Sequence, residues 1–312
     1  MLLNKKTIAI LILIAAAFLI TNRWHFNFFK EQTVQRVNDK NTNPTSKELQ
    51  IYFLDVGQGD AILIKTPMGK QILLDGGEGQ TVLEKLGQYL PLTDKTIELV
   101  ILSHPHGDHL GGLIDVLERY QVEEVWLTGV VHTSSGYLEF LNLINSKKIT
   151  AKNIFACGEN KPTGCSDEIA VENNMKFKVL WPRENLTGQR VKEINNISMV
   201  LKLIYGNNSW LLPGDLDSAA EEKLIRDSPE YLMANVLKVA HHGSSSATSE
   251  EWLKLVSPTD AIISVGKDND YGHPSLRILN RLKRVGINIW RTDELGDTLT
   301  ESDGITINIT SP

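Results

Sequence analysis

The sequence predicts an α/β sandwich with helices on the outside. Short β-branched, apolar segments alternate with segments of helical spacing, the pattern of strands joined by crossover helices. Leu99-Val100-Ile101-Leu102 is wholly apolar, as expected of a strand in a sheet buried on both faces. The 312 residues are 41% hydrophobic and 22% charged, which supplies a packed core and excludes wholesale disorder.

Taken in order, residues 51–56, 61–66 and 71–75 read as a strand meander. The turns are Gly57-Gln58-Gly59-Asp60 and Pro67-Met68-Gly69-Lys70. Residues 81–90 carry Val82, Leu83, Leu86 and Leu90 at helical spacing. Strand 99–102 precedes a helix from about 110 to 120, followed by strand 125–127. Residues 133–195 are the least regular stretch and are expected to be either an insertion over the site or long loops. The second half repeats the scheme. Residues 199–205 and 209–212 form a hairpin through Gly206-Asn207-Asn208. Helices follow at 217–227, 249–256 (with Ser249 as N-cap) and 275–285; strands fall at 236–240, 261–265, 288–291 and 305–309.

Residues 7–20, TIAILILIAAAFLI, carry no charge, with Lys5 and Lys6 before them and Arg23 after. Residues 1–30 read as either an uncleaved signal anchor or a signal peptide cut near Ala15-Ala16-Ala17. The leading lysines place the remainder outside the cytoplasm, anchored to the membrane or secreted. Residues 31–48 are polar, contain Pro44 and read as a flexible tether to a domain at 49–312. Of the chain's 32 Lys+Arg and 38 Asp+Glu, residues 1–48 hold seven and three. The domain therefore keeps 25 and 35, a net charge of −10. That argues against holding nucleic acid by bulk electrostatics alone. Two cysteines exclude a disulfide scaffold and a four-cysteine zinc module; Cys157 and Cys165 are either a pair in an exported protein or two free thiols.

The strongest chemical signal is Ser103-His104-Pro105-His106-Gly107-Asp108-His109, directly after the apolar strand. In extended chain, residues two apart face the same way, so His104 and His106 can converge. Asp108 and His109 then fall at the turn into the next helix and can serve a neighbouring point. Imidazole with carboxylate suits zinc or manganese, among others. Asp215 follows another strand; a carboxylate with two oxygens can bridge two cations. In His241-His242-Gly243-Ser244 the adjacent side chains diverge, so one histidine can ligate and the other act on substrate. His273, in Gly272-His273-Pro274, is a further candidate for proton or phosphate contacts, or else an ordinary turn histidine. Asp55 and Asp60 border the Gly-Gln-Gly turn. They either support the ligands or satisfy turn backbone.

These stretches, in this order, resemble the metallo-β-lactamase fold, an αββα sandwich. The flanking Leu54-Asp55-Val56-Gly57-Gln58-Gly59-Asp60-Ala61, Gly214-Asp215-Leu216-Asp217, Leu237-Lys238-Val239-Ala240-His241-His242-Gly243-Ser244 and Tyr271-Gly272-His273-Pro274 resemble the hydrolase domain of ComEC-type competence proteins, over about residues 49–310. The resemblance implies two divalent metal ions. His104 and His106 would hold one, Asp108, His109 and His242 the other, and Asp215 would bridge them. Asp75 would support the ligand loop. His241, His273 and Asp108 would border the reacting group. Many relatives supply another histidine where this chain has Glu193-Ile194-Asn195-Asn196-Ile197-Ser198, which would leave the first metal three protein ligands.

The resemblance further implies a metal-dependent phosphodiesterase, a nuclease acting on DNA, with no nucleotide cofactor. The alternatives are a hydrolase of another envelope phosphoester, of phosphocholine or teichoic-acid type, or a noncatalytic binding module of the same fold. ComEC proteins also carry a multi-span channel. With one hydrophobic segment at most, this chain is expected not to translocate DNA itself.

Overall fold

The computed structural model describes residues 48–157 and 163–312. The expected membrane segment at 1–30 and all of the tether but residue 48 lie outside them. No helix among the described residues is long and apolar enough to cross a membrane.

The first half runs β1 (Leu49–Phe53), β2 (Ile62–Lys65), β3 (Gln71–Leu74), α1 (Thr81–Tyr89), β4 (Thr96–Ile101), α2 (Gly107–Arg119), β5 (Gln121–Leu127), α3 (Ser135–Lys147) and β6 (Thr150–Asn153). The second runs β7 (Glu168–Glu172), β8 (Met175–Trp181), β9 (Val200–Tyr205), β10 (Asn208–Leu212), α4 (Ser218–Asp227), β11 (Val236–Lys238), α5 (Glu250–Val256), β12 (Asp260–Ile263), α6 (Leu276–Arg284) and β13 (Asn288–Arg291). A short α7 (Thr292–Leu295) leads to β14 (Thr298–Ser302) and β15 (Ile307–Thr310). The strand orders are β15-β14-β1-β2-β3-β4-β5-β6 and β13-β12-β11-β10-β9-β8-β7. Each sheet is an antiparallel meander continued by parallel strands: β3, β4, β5 and β6 in one, β10, β11, β12 and β13 in the other.

Period-two alternation produces the layers. Ile51, Phe53, Ile62 and Ile64 point into a core between the sheets, where they meet Phe177, Leu203 and Trp210. Tyr52 and Leu63, on the other face, pack with Leu86, Leu113 and Phe140 of α1, α2 and α3. In the second sheet Leu211, Leu237 and Ile263 turn outward to Leu224, Trp252 and Ile278 of α4, α5 and α6. The result is the expected αββα sandwich, with three apolar seams. Ser249 caps α5 as expected, its Oγ accepting from Trp252 N at 3.1 Å.

Two expectations need correction. Residues 133–195 are neither an insertion nor long loops: they contain α3, β6, β7 and β8. Helix α3 buries Tyr137, Phe140 and Ile144, a helical stripe, whereas β6 is wholly exposed and offers no apolar alternation to read. Strand β14 was not anticipated, because its inward positions are Thr298, Thr300 and Ser302 rather than apolar residues. The hydroxyls of Thr300 and Ser302 have work between the sheets. Trp210 Nε1 donates to Thr300 Oγ1 at 3.0 Å, and Asn208 Nδ2 to Ser302 Oγ at 2.8 Å. Cys157 and Cys165 are joined in a disulfide.

Candidate metal centre

Strand ends of both sheets meet along one edge of the sandwich. β3 runs into Asp75, β4 into His104, β10 into Asp215, and β11 into His241 and His242. Parallel neighbours place these ends side by side. Loops at the carboxyl ends of parallel strands are where α/β folds carry ligands.

The His104–His109 segment is extended at His106 (φ −84°, ψ 153°) and then enters α2 at Gly107. Asp108 falls in the first turn of α2, where a carboxylate is favoured by the helix dipole. The turn is pressed against the rest of the site. A Cβ on Gly59, at φ +116°, would lie 1.9 Å from the Asp108 carbonyl oxygen; one on Gly112 would lie 2.1 Å from the Gly76 carbonyl. Non-glycine residues with left-handed backbone also gather here: Asp75 (φ 58°), His241 (φ 50°) and His242 (φ 52°). Each such residue costs on the order of 1–3 kcal/mol, a cost tolerated mostly where function fixes the geometry.

Ligand atoms converge as the residue types require. His104 Nε2 faces His106 Nδ1 at 3.1 Å. Asp215 Oδ2 lies 3.2 Å from His109 Nε2 and 3.3 Å from His242 Nε2, and Asp108 Oδ2 lies 3.4 Å from His242 Nε2. Two nitrogens bound tetrahedrally to one zinc ion at 2.0–2.1 Å would stand about 3.3 Å apart, so these separations fit shared cations. Asp215 Oδ2 is also 4.0 Å from His104 Nε2, between the two groups. The buried Nε2 atoms of His109 and His242 have no hydrogen-bond partner.

The opposite ring nitrogens are committed. His109 Nδ1–H donates to Asp75 Oδ2 at 2.8 Å, and His242 Nδ1–H to the Ser264 carbonyl at 2.9 Å. His104 Nδ1 meets Ser103 Oγ at 3.0 Å, and that hydroxyl donates to Asp75 Oδ2 at 2.6 Å. These contacts fix the tautomers that leave Nε2 as a lone-pair donor. Asp75 thus braces two of the rings. Asp60, Asp75 and His109 also cluster closely enough to be considered for a cation. There, however, His109 Nδ1 is hydrogen-bonded, and Asp60 already pairs with the buried ammonium of Lys238. Asp55 accepts from Gly57 N at 3.3 Å, a turn contact, while its own N–H donates to Asp297.

His241 stands beside the ligands, its Nε2 3.9 Å from Asp215 Oδ2. Its Nδ1–H donates to Asp217 Oδ1 at 3.0 Å, so Nε2 accepts from the Asn195 amide at 3.3 Å. That contact orients Asn195, whose buried Oδ1 is left without a partner in the same pocket. It offers an oxygen donor in the stretch where no histidine occurs. His273 lies 5.6 Å from His241, ring centre to ring centre. Asp217, Ser103 and Lys238 were not singled out by sequence reasoning. Lys238 carried a readable signal: a lysine within an otherwise apolar strand, here 1% exposed.

With only protein groups around them, the ligands polarise one another. Burial drives the His104 imidazole well below its ordinary value, and the charge of His109 adds to this. Burial opposes charge on His242 as well, but the Asp215 carboxylate, with the Asp108 carboxylate also close to Nε2, outweighs it and pushes its pKa to about 9. Burial would raise Asp215, yet the charges of His109 and His242 hold it well below the carboxylate range. A cation must displace the His242 proton. Metal affinity is therefore expected to fall about tenfold per pH unit below about 9 for this proton, and to level off above it. Chelator competition between pH 6 and 10 measures this; a flat profile would remove His242 from the ligand set.

Residues 54–145 match the family described as Metallo-beta-lactamase superfamily. ComE operon protein 3 of Bacillus subtilis (strain 168) is 28% identical over 268 residues, 80% of this chain and 33% of that protein. Competence protein ComA of Neisseria gonorrhoeae is 28% identical over 253 residues, 80% of this chain and 32% of that protein. The chain thus spans about a third of the length of these relatives. Among solved structures, the E377D mutant of CmlA β-hydroxylase, from Streptomyces venezuelae, aligns with a TM-score of 0.50 at 11% identity, over 80% of this chain and 53% of that one. That likeness is one of fold.

Proposed function

Because the chain carries a metallo-β-lactamase domain with homologues among competence proteins, we propose that it is a metal-dependent phosphodiesterase that cuts DNA outside the cytoplasm. One observation carries the reading: the ligand atoms of Asp108, His109, Asp215 and His242 lie within 4.8 Å of one another, and His104 and His106 meet beside them, with His104 Nε2 4.0 Å from Asp215 Oδ2. Divalent ions held there, zinc or manganese, would acidify water and neutralise charge on an attacked phosphodiester.

The chain's own groups supply the rest. Asp75, Ser103 and the Ser264 carbonyl hold the ligand rings in one tautomer. His241, fixed by Asp217, turns the Nε2 lone pair into the pocket, where it can take a proton from the attacking water and, once it carries that proton, pass it to the departing oxygen. His273 is held below the ordinary imidazole range by burial and by the charges of His241 and His242, so it presents a neutral ring beside the centre. The homologues' name as competence proteins favours DNA as substrate. The Cys157–Cys165 disulfide favours an oxidising location, and residues 1–30 supply the membrane attachment or export signal.

The test is incubation of the full chain with linear DNA and manganese or zinc. Cleavage abolished by chelation is expected; no cleavage with either metal would defeat the nuclease reading. The acidic balance of the domain favours a second substrate class, an envelope phosphoester, which p-nitrophenyl phosphorylcholine would report. His241→Ala is expected to lower kcat on the order of 10²–10³-fold while metal content, read by elemental analysis, stays at the wild-type level. Equal loss of metal would instead make His241 a ligand.

A further inference from the structure

The metal centre does not end at its ligands. A ladder of rings leads from it to the surface: His109 to His242 at 5.3 Å between ring centres, His242 to His241 at 6.1 Å, His241 to His273 at 5.6 Å, and His273 to Tyr271 at 5.8 Å. Tyr271 lies nearly parallel to His273, at 23°, and is 69% exposed. An aromatic ring so open to water buries little of its own surface. Its loop is nevertheless tied down. Asn269 Nδ2 donates to the carbonyls of Gly266 (2.9 Å) and His273 (2.6 Å), while its Oδ1 accepts from Tyr271 N (3.1 Å) and His273 N (3.0 Å). One side chain cross-braces the loop, so the ring is presented from a fixed backbone.

The surroundings select what the ring can receive. Tyr271 lines the same pocket, about 580 Å³, as Asp215 and His241. Exposed carboxylates of Glu78, Asp268 and Asp270 share that lining. A sugar–phosphate backbone laid along this lip would meet like charge. A nucleobase would not: it carries no charge, offers a face to the ring, and can donate from its amino groups to the carboxylates. Bases paired inside a duplex have no free face to offer.

We propose that Tyr271 is a stacking platform for a base of single-stranded DNA, beside the phosphodiester presented to the metal centre. The proposal rests on the phosphodiesterase reading above and makes its substrate single-stranded or frayed. Tyr271 is a substrate-positioning residue: it sets affinity through the base face and takes no part in bond breaking.

Single-stranded oligonucleotides containing 2-aminopurine, mixed rapidly with the zinc-loaded full chain, test this before turnover. Stacking quenches the probe. Wild-type protein and Tyr271→Phe should quench it, whereas Tyr271→Ala should lose the quench and raise Kd roughly tenfold; the same probe within a duplex should be quenched weakly. The proposal is overturned if wild-type protein gives no quench, if Tyr271→Ala behaves as wild type, or if duplex and single strand respond alike. Cleavage of the same oligonucleotides, followed in parallel, separates the two ideas. Cleavage without quench removes the platform and leaves the nuclease. A Tyr271-dependent quench without cleavage supports the platform and removes the nuclease.

Discussion

Asp215→Asn is expected to abolish turnover, lowering kcat on the order of 10³-fold or more. The carboxylate oxygen that lies 3.2 Å from His109 Nε2 and 3.3 Å from His242 Nε2 is the point where the two halves of the site touch. An asparagine keeps the size but offers one neutral oxygen. It lacks the negative charge that would hold cations on both sides of that oxygen, and it removes the charge that favours protonated His109 and His242. Metal content should fall with rate, since the substitution strikes binding and chemistry together. Elemental analysis beside a DNA cleavage assay reads both. Full activity with one metal per chain, or retained metal and retained rate, would show that Asp215 is not the bridge.

Lys238→Met should have the largest effect on stability, a loss of about 3–5 kcal/mol. The Lys238 ammonium is buried below the centre. It pairs with Asp60, donates to the Gly214 carbonyl at 3.3 Å and lies 3.8 Å from Asp215 Oδ1. Methionine fills much of the same space but leaves the Asp60 carboxylate buried without its partner. Removing both charges, in Lys238→Met with Asp60→Asn, should restore a substantial part of the loss, because the penalty comes from the stranded charge rather than from the pair itself. Urea denaturation of the metal-free protein reads the three variants. Additive losses would mean that the pair is not coupled.

Much of this site could be read from the chain because its ligands are crowded. Three histidines and an aspartate within six residues after an apolar strand leave little room for a purely structural role, and strand periodicity alone predicts that His104 and His106 meet. What stayed hidden depends on long-range packing. Asp217 looks like any helix-capping residue until β11 brings His241 to it. Thr300 and Ser302 offer no apolar alternation to read, although their hydroxyls are the partners that Trp210 and Asn208 need inside the sandwich. Asn195 shows its use only when His241 fixes the direction of its amide. Buried polar pairings of this kind carry no periodicity, so no pattern along the chain announces them.

The candidate ligands are divided between the halves of the chain: His104, His106, Asp108 and His109 follow β4 of one sheet, while Asp215 and His242 follow β10 and β11 of the other. Neither half owns a complete coordination set. Occupancy would therefore report on assembly: ions that favour the finished arrangement would rivet one leaf of the protein to the other, adding to the cohesion of the apolar seam between them. A chain loaded with metal only after it folds would gain its last increment of rigidity and its reactivity in the same event, and would stay inert until then.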